Sequence, residues 1–281
     1  MNTKAIYMPK GKAGEYAKYA CNFYVGCSND CTYCYCKRGV LAHAMGKAKA
    51  TLKKCFKDER DALRIFRSEL QKYLPDLRKH GLFFTFTSDP LLKETRQLTF
   101  DAVSYAVSYG VPCKILTKRA DFIDHIPGEW FVHDWYKTRI AFGFTLTGHD
   151  ELEPGASPTL KRIEAMRTLH NYGFKTFASI EPIISLKETA EIIGQTTDIC
   201  NLYKIGLLTE QKNYTPREVK LFMISLYAAL LTGEAISNMF DKKLGFKVYL
   251  KDSMFEYTKL NRETFENGEP VFVSKDYNLF H

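Results

Sequence analysis

Three cysteines stand close together as C-x3-C-x2-C, at Cys27, Cys31 and Cys34. Thiolates at that spacing on one short loop can converge on a single inorganic cluster. Three protein ligands for a cube of four irons leave one iron open, and an open iron can take a small molecule. Cys36 offers a competing reading, because it would complete four thiolates for a tetrahedral zinc site. Zinc knuckles usually pair two C-x2-C units far apart, and this sequence has no second unit. A disulfide inside the loop suits poorly a chain whose first residues do not read as a secretory signal. The iron–sulfur reading therefore leads.

The chain has 281 residues, 45% hydrophobic and 26% charged, which suits a globular protein of one large domain or two small ones. Residues 1–18 are polar and Lys-rich without an apolar core, and the longest apolar run, near residues 221–231, is too short and interrupted to span a bilayer. A soluble, reducing, cytoplasmic setting is expected. There, eight cysteines point to metal or chemistry rather than to disulfides. The formal charge of +8 is uneven: Lys37, Arg38, Lys47, Lys49, Lys53, Lys54 and Lys57 follow Cys31 with no acid among them. Such a segment can contact a phosphate backbone, although charge runs are more often solvated faces.

The elements that must position these residues alternate. Strands are predicted over residues 18–25, 82–87, 111–117, 139–146, 174–180 and 200–205. Helices are predicted over 58–74, 96–108, 158–171, 186–197 and 216–232, with a helical or loop stretch at 121–126. Ser157 is the expected N-cap and Pro158 the first helical residue of the third helix. Short connections between strands and helices argue for parallel strands with helices outside. The predicted fold is α/β, a partial (β/α)6 TIM-like barrel over residues 1–237, with residues 238–281 as a mixed C-terminal cap containing a short strand at 271–273.

Chemistry in a parallel barrel sits at the C-terminal ends of the strands. The polar residues fall there: the cysteine loop after the first strand, Ser88 and Asp89 after the second, Lys118 after the third, Thr145 and Thr147 at the fourth, Glu181 after the fifth. Each has a plainer reading, Asp89 as a turn cap, Lys118 and Glu181 as solvated ends of strands.

The motif Cys27, Cys31, Cys34, with the aromatic Tyr33 before its third cysteine, resembles the signature of radical S-adenosylmethionine (SAM) enzymes. Four further features are similar to the spore photoproduct lyase branch of that superfamily. They are Tyr33 and Tyr35 flanking Cys34, Thr87-Ser88-Asp89-Pro90, Leu116-Thr117-Lys118, and Glu153-Pro154-Gly155-Ala156-Ser157-Pro158 followed by Lys161-Arg162-Ile163-Glu164-Ala165. The resemblance covers roughly residues 23–181. It implies a [4Fe-4S] cluster on Cys27, Cys31 and Cys34. It implies SAM beside Tyr33, Ser88, Lys118 and Thr145, with Lys118 on the methionine carboxylate; Asp89, Thr147 and Glu181 are grouped with them as cofactor-binding. Tyr35 resembles a tyrosine that relays a radical in the lyases.

One position departs from the branch. The lyases carry a hydrogen-donating cysteine directly before the Thr-Ser-Asp stretch, and here that residue is Phe86. A phenyl ring has no weak bond to hydrogen, so a related but different radical reaction is expected. Cys36, Cys55 and Cys113 are the candidate substitutes, and Cys36 is nearest in sequence. The expected activity is reductive cleavage of SAM to a 5′-deoxyadenosyl radical acting on DNA or RNA. The competing expectations are a small molecule or protein side chain as substrate, or a non-catalytic metal-cluster protein that binds nucleic acid. An electron donor such as a flavodoxin or ferredoxin, no membrane association and a monomeric state complete the reading.

Overall fold

The computed structural model describes residues 4–39, 42–208, 213–232 and 246–280. Its main sheet has eight strands in the order β1 (Ile6–Tyr7), β2 (Ala20–Cys21), β5 (Leu82–Phe84), β6 (Cys113–Thr117), β7 (Ile140–Thr145), β8 (Lys175–Ile183), β9 (Leu202–Leu207) and β10 (Lys247–Leu250). Every neighbouring pair from β2 to β10 is parallel, and β1 runs antiparallel on β2. A two-stranded sheet, β3 (Tyr24–Val25) with β4 (Thr51–Leu52), stands apart. The fold is α/β with a mostly parallel sheet, as the alternation predicted. Among the described strands the sheet stays open, with β1 and β10 at its two ends.

Three local expectations change. The strand predicted over 18–25 divides at Asn22, a buried residue whose amide donates to Tyr7 Oη (2.8 Å) and accepts from the Phe86 N–H (2.9 Å). The strand predicted over 82–87 ends at Phe84, because Asn22 and the Tyr24 carbonyl, which accepts from Thr87 Oγ1 at 2.6 Å, take over the bonding of residues 86–87. Ser157 does not cap the helix Thr159–Asn171; its hydroxyl accepts from Ala120 N (2.9 Å), and Asp150 Oδ1 accepts from Thr159 N (2.8 Å) instead. A cap nine residues distant leaves no local sequence signal. The boundary expected at residues 237/238 lies outside the described residues. Beyond it, β10 continues the sheet on β9, and Phe272 forms a single bridge to Val248.

The parallel strands sort their side chains with period two. On the outer side Leu82, Phe84, Ile115, Phe142, Ala178 and Ile205 pack under helical residues such as Phe66, Phe100, Met166, Ile193 and Met223. On the inner side Ala20, Phe83, Ala141, Phe177 and Leu202 form a second apolar cluster closed by Leu279. Counting on by twos, the inner columns become polar: Lys118 past Leu116 just beyond β6, Thr145 on β7, Ser179 and Glu181 on β8. In register, Ser179 pairs with Thr145 on one side and Lys204 on the other. The inner face is thus mostly apolar at one end, where the buried Lys114 stands in register between Phe83 and Ala141, and polar at the C-terminal ends of the strands.

Candidate active site

The polar end opens into a cavity of about 520 Å³. Cys27, Cys31, Cys34 and Cys36 line it together with Tyr33, Tyr35, Phe86, Ser88, Asp89, Lys118, Thr145 and Glu181. Thr147, expected beside them, does not: it is buried, and its hydroxyl accepts from His149 N at 3.3 Å. It shares the parity of Thr145 but lies past the end of β7, where parity no longer sets direction.

The cysteine loop is braced by backbone bonds to two other segments. Cys27 N donates to Lys47 O (2.9 Å), Thr32 N to Leu152 O (2.9 Å) and Gly155 N to Asn29 O (3.0 Å). A Cβ on Gly155 would stand 1.9 Å from Ser28 O, so only glycine lets the Glu-Pro-Gly turn lie against the loop. Gly155→Ala is expected to destabilise the protein by about 1–3 kcal/mol, the usual cost of forced overpacking. Urea unfolding measures this, and an unchanged midpoint would show that the contact is easily relieved.

All three motif cysteines are free thiols. Burial pushes the Cys27 thiol up to about 12, with the amides of Asn29 and Asp89 hydrogen-bonded to its sulfur and pulling the other way. Hydrogen bonding from the neighbouring Cys36 thiol holds the Cys34 thiol down at about 6, while Cys36 itself is pushed up. Among the described residues no three Cys, His, Asp or Glu side chains converge on a point suited to one metal ion. A single tetrahedral zinc needs such convergence. A cube takes one thiolate per iron, and the three motif cysteines, carried on one loop and lining one cavity, are the donor type it uses.

Behind the cavity wall lies an ionic stack. Lys118 Nζ reaches Tyr33 Oη (2.7 Å) and Glu153 Oε1 (2.9 Å), and sits 4.9 Å from the centre of the Tyr33 ring. Tyr33 also donates to Glu153 Oε1. The other carboxylate oxygen of Glu153 accepts from Arg162 Nη2. The Arg162 guanidinium, wholly buried, further donates to Ser157 O (2.7 Å), Thr145 O (2.6 Å) and Asp150 Oδ1 (3.3 Å). Burial alone would raise the Glu153 carboxyl; Lys118 and Arg162 outweigh it and hold the group below the ordinary carboxylate range. Glu153 and Arg162 stood inside the Glu-Pro-Gly motif, but nothing local in the sequence pairs them with each other or with Lys118.

Asp89 acts as a tie. Its carboxylate accepts from Leu91 N (2.9 Å), Thr117 Oγ1 (2.7 Å), Lys118 N (2.7 Å) and Asn29 Nδ2 (2.7 Å). It therefore joins the cysteine loop to the ends of β5 and β6. On the far wall Glu181 Oε2 accepts from Tyr16 Oη (2.7 Å) and from the buried Lys251 (2.6 Å), which also reaches Glu15 at 3.1 Å. Tyr16, Glu15 and Lys251 carry no sequence signal; they meet because the N-terminal segment crosses the open side of the sheet beside β10.

Tyr35 is half-exposed and donates to the Phe86 carbonyl, and Cys36 Sγ lies 3.8 Å from the same oxygen. The Phe86 ring stacks on Phe83 with centroids 4.5 Å apart and meets Tyr16 edge-on at 5.9 Å. Cys113 is buried and Cys55 exposed, and neither lines the cavity.

Spore photoproduct lyase complexed with dinucleoside spore photoproduct matches at a TM-score of 0.59 and 17% identity, over 87% of this chain and 79% of that one. The chain has the fold of spore photoproduct lyase. The fold implied by the motif resemblance is therefore the fold found. SuiB of Streptococcus suis bound to S-adenosylmethionine shares the fold at a TM-score of 0.55 and 11% identity, over 88% of this chain and 53% of that one. Another structure of spore photoproduct lyase holds AdoMet together with the dinucleoside. An uncharacterized protein of Methanocaldococcus jannaschii is 27% identical over 254 residues, 84% of each chain. No family model matches the chain. Among the described residues no helix is long and apolar enough to cross a membrane.

Proposed function

We propose that the protein is a radical SAM enzyme whose cluster is held by Cys27, Cys31 and Cys34. The observation that carries this reading is the single cavity onto which those three cysteines, Tyr33 and Lys118 all open, on a fold shared with spore photoproduct lyase. When bound there, a [4Fe-4S] cluster reduced by a flavodoxin- or ferredoxin-like donor would supply the electron for cleaving SAM to a 5′-deoxyadenosyl radical able to take hydrogen from the substrate. The chain's own residues bind and orient. Tyr33 offers a ring at the cavity wall for the adenine, Ser88 and Thr145 offer hydroxyls, and Lys118 offers an ammonium for the methionine carboxylate. Asp89 holds the backbone of Lys118 and the cysteine loop in register. Anaerobic reconstitution with iron and sulfide tests the reading: a brown protein that releases 5′-deoxyadenosine with reductant and SAM supports it, and a colourless or SAM-inert protein overturns it.

Lys118→Ala is expected to weaken SAM binding by about 1.5–3 kcal/mol, the range for hydrogen bonds to charged groups. Calorimetry measures this, and unchanged affinity would remove Lys118 from the cofactor site.

The substrate we propose is a nucleic acid. Lys10, Lys12, Lys37 and Lys47 stand among the residues around the cavity, Lys47 from the acid-free segment after the cysteine loop. A lysine-rich rim suits a phosphate backbone, and its binding should fall steeply with salt. A gel shift on single- and double-stranded DNA and on RNA, from low to physiological salt, checks this; no shift with any of them favours a small molecule or peptide.

A further inference from the structure

We propose that Arg162, which does not line the cavity, sets the charge of the subsite that receives the SAM carboxylate, by keeping Glu153 from becoming a private counter-ion of Lys118. The inference rests on the reading of Lys118 given above. It arises from the layering of the groups. Lys118 and Tyr33 line the cavity; Glu153 and Arg162 do not. The Lys118 side chain is 17% exposed, and those of Glu153 and Arg162 are 0% exposed. The order from the cavity inward is cation, anion, cation.

Each oxygen of the buried carboxylate serves a different cation. Glu153 Oε1 takes Lys118 and Tyr33, and Oε2 takes Arg162. A lone carboxylate in that interior would bind Lys118 tightly, since attraction there is weakly screened and Glu153 has no water to turn to. An incoming ligand carboxylate would then compete with a buried one for the same ammonium. With Arg162 in place, the anion is already neutralised from behind, and the three-charge stack presents a net positive charge to the cavity. Asp150 offsets it only in part. That carboxylate is half-exposed, reaches Arg162 only at 3.3 Å, and is engaged by Thr159 N and Oγ1 at the start of the helix.

Arg162 also braces the site, since it donates to the carbonyls of Thr145 and Ser157. A bracing role and a charge role predict different results when Glu153 is removed as well. If Arg162 acts through Glu153, the neutral Glu153→Gln should restore what Arg162→Met loses. If Arg162 only braces, removing a second hydrogen-bonding partner should restore nothing. Replacing both members of a buried ion pair is also gentler on the fold than removing one.

The experiment measures SAM affinity by calorimetry on anaerobically reconstituted protein, with iron content and melting temperature recorded for each variant. Arg162→Met is expected to bind SAM at least tenfold more weakly than the parent. Arg162→Met with Glu153→Gln is expected to recover at least fivefold of that loss. Arg162→Lys, which keeps the cation and surrenders hydrogen bonds to the two carbonyls, is expected to bind within about threefold of the parent, and it keeps the question open to test if Arg162→Met does not fold. A double variant no tighter than Arg162→Met, or an Arg162→Lys protein tenfold weaker than the parent, overturns the charge role. Full affinity in Arg162→Met does so too. Lys118→Ala serves as the reference. If it leaves affinity unchanged, the reading of Lys118 itself fails; if it weakens binding while the Arg162 variants do not, the inference about Arg162 alone fails.

Discussion

Replacing any one of Cys27, Cys31 or Cys34 by alanine is expected to abolish both the cluster and SAM cleavage, while Cys36→Ala keeps its cluster. In the proposed ligand set each thiolate would hold a different iron, so none could stand in for another, and loss of one would remove a third of the protein's grip on the cube. Cys36 is the one neighbouring thiol that could be drawn in. It is buried, and its sulfur lies against the Phe86 carbonyl. Iron and sulfide assays with visible absorbance, beside chromatography of 5′-deoxyadenosine, give the answer. Cluster loss in Cys36→Ala with retention in Cys27→Ala would show that the ligand set includes Cys36 in place of Cys27.

Rapid, clean conversion of a synthetic spore-photoproduct dinucleotide to two thymines is not expected, even by protein that cleaves SAM well. The resembled lyases use a cysteine at the position of Phe86 to give a hydrogen atom to the thymine radical. Here the ring is wedged between Phe83 and Tyr16 and offers no weak bond to hydrogen. Of the three candidate substitutes only Cys36 lines the cavity. If it donates, its S–H bond breaks, a C–H bond forms on the substrate, and a thiyl radical remains at Cys36. Cys36→Ala should then retain 5′-deoxyadenosine release and lose formation of the hydrogen-quenched product by tenfold or more. Anaerobic turnover with chromatography of every product tests both statements. Efficient thymine release by the unmodified protein defeats the first, and release unaffected by Cys36→Ala defeats the second.

The spacing of Cys27, Cys31 and Cys34 and the Pro and Gly residues between apolar runs were legible because they act over a few residues. Runs of β-forming residues bounded by glycine and proline made the strands visible, and short connections between strand and helix made them parallel. From those alone came the α/β class and the convergence of the cysteine loop, Ser88, Asp89, Lys118, Thr145 and Glu181 on one end of the sheet, all of which line one cavity. Where local signal ran past a strand's end it misled: Thr147 continues the parity of Thr145 yet faces away, and Ser157, placed like a cap, bonds Ala120 instead.

Tertiary structure decided which charges meet. Asp89 reads in sequence as a turn residue before a proline, and only the approach of two strand ends and the cysteine loop gives its carboxylate four donors. Lys118 reads as a solitary cation, and becomes one face of a stack only because the Glu-Pro-Gly turn folds back onto the loop at Gly155. Tyr16 and Lys251 lie at opposite ends of the chain and meet at Glu181 where the N-terminal segment crosses beside β10. The physical reason is range. Capping, turn chemistry and hydrophobic periodicity are set by neighbours in the chain, whereas the partner of a buried charge is set by whichever element the packing brings within about 3 Å of it, where a hydrogen bond can replace lost water.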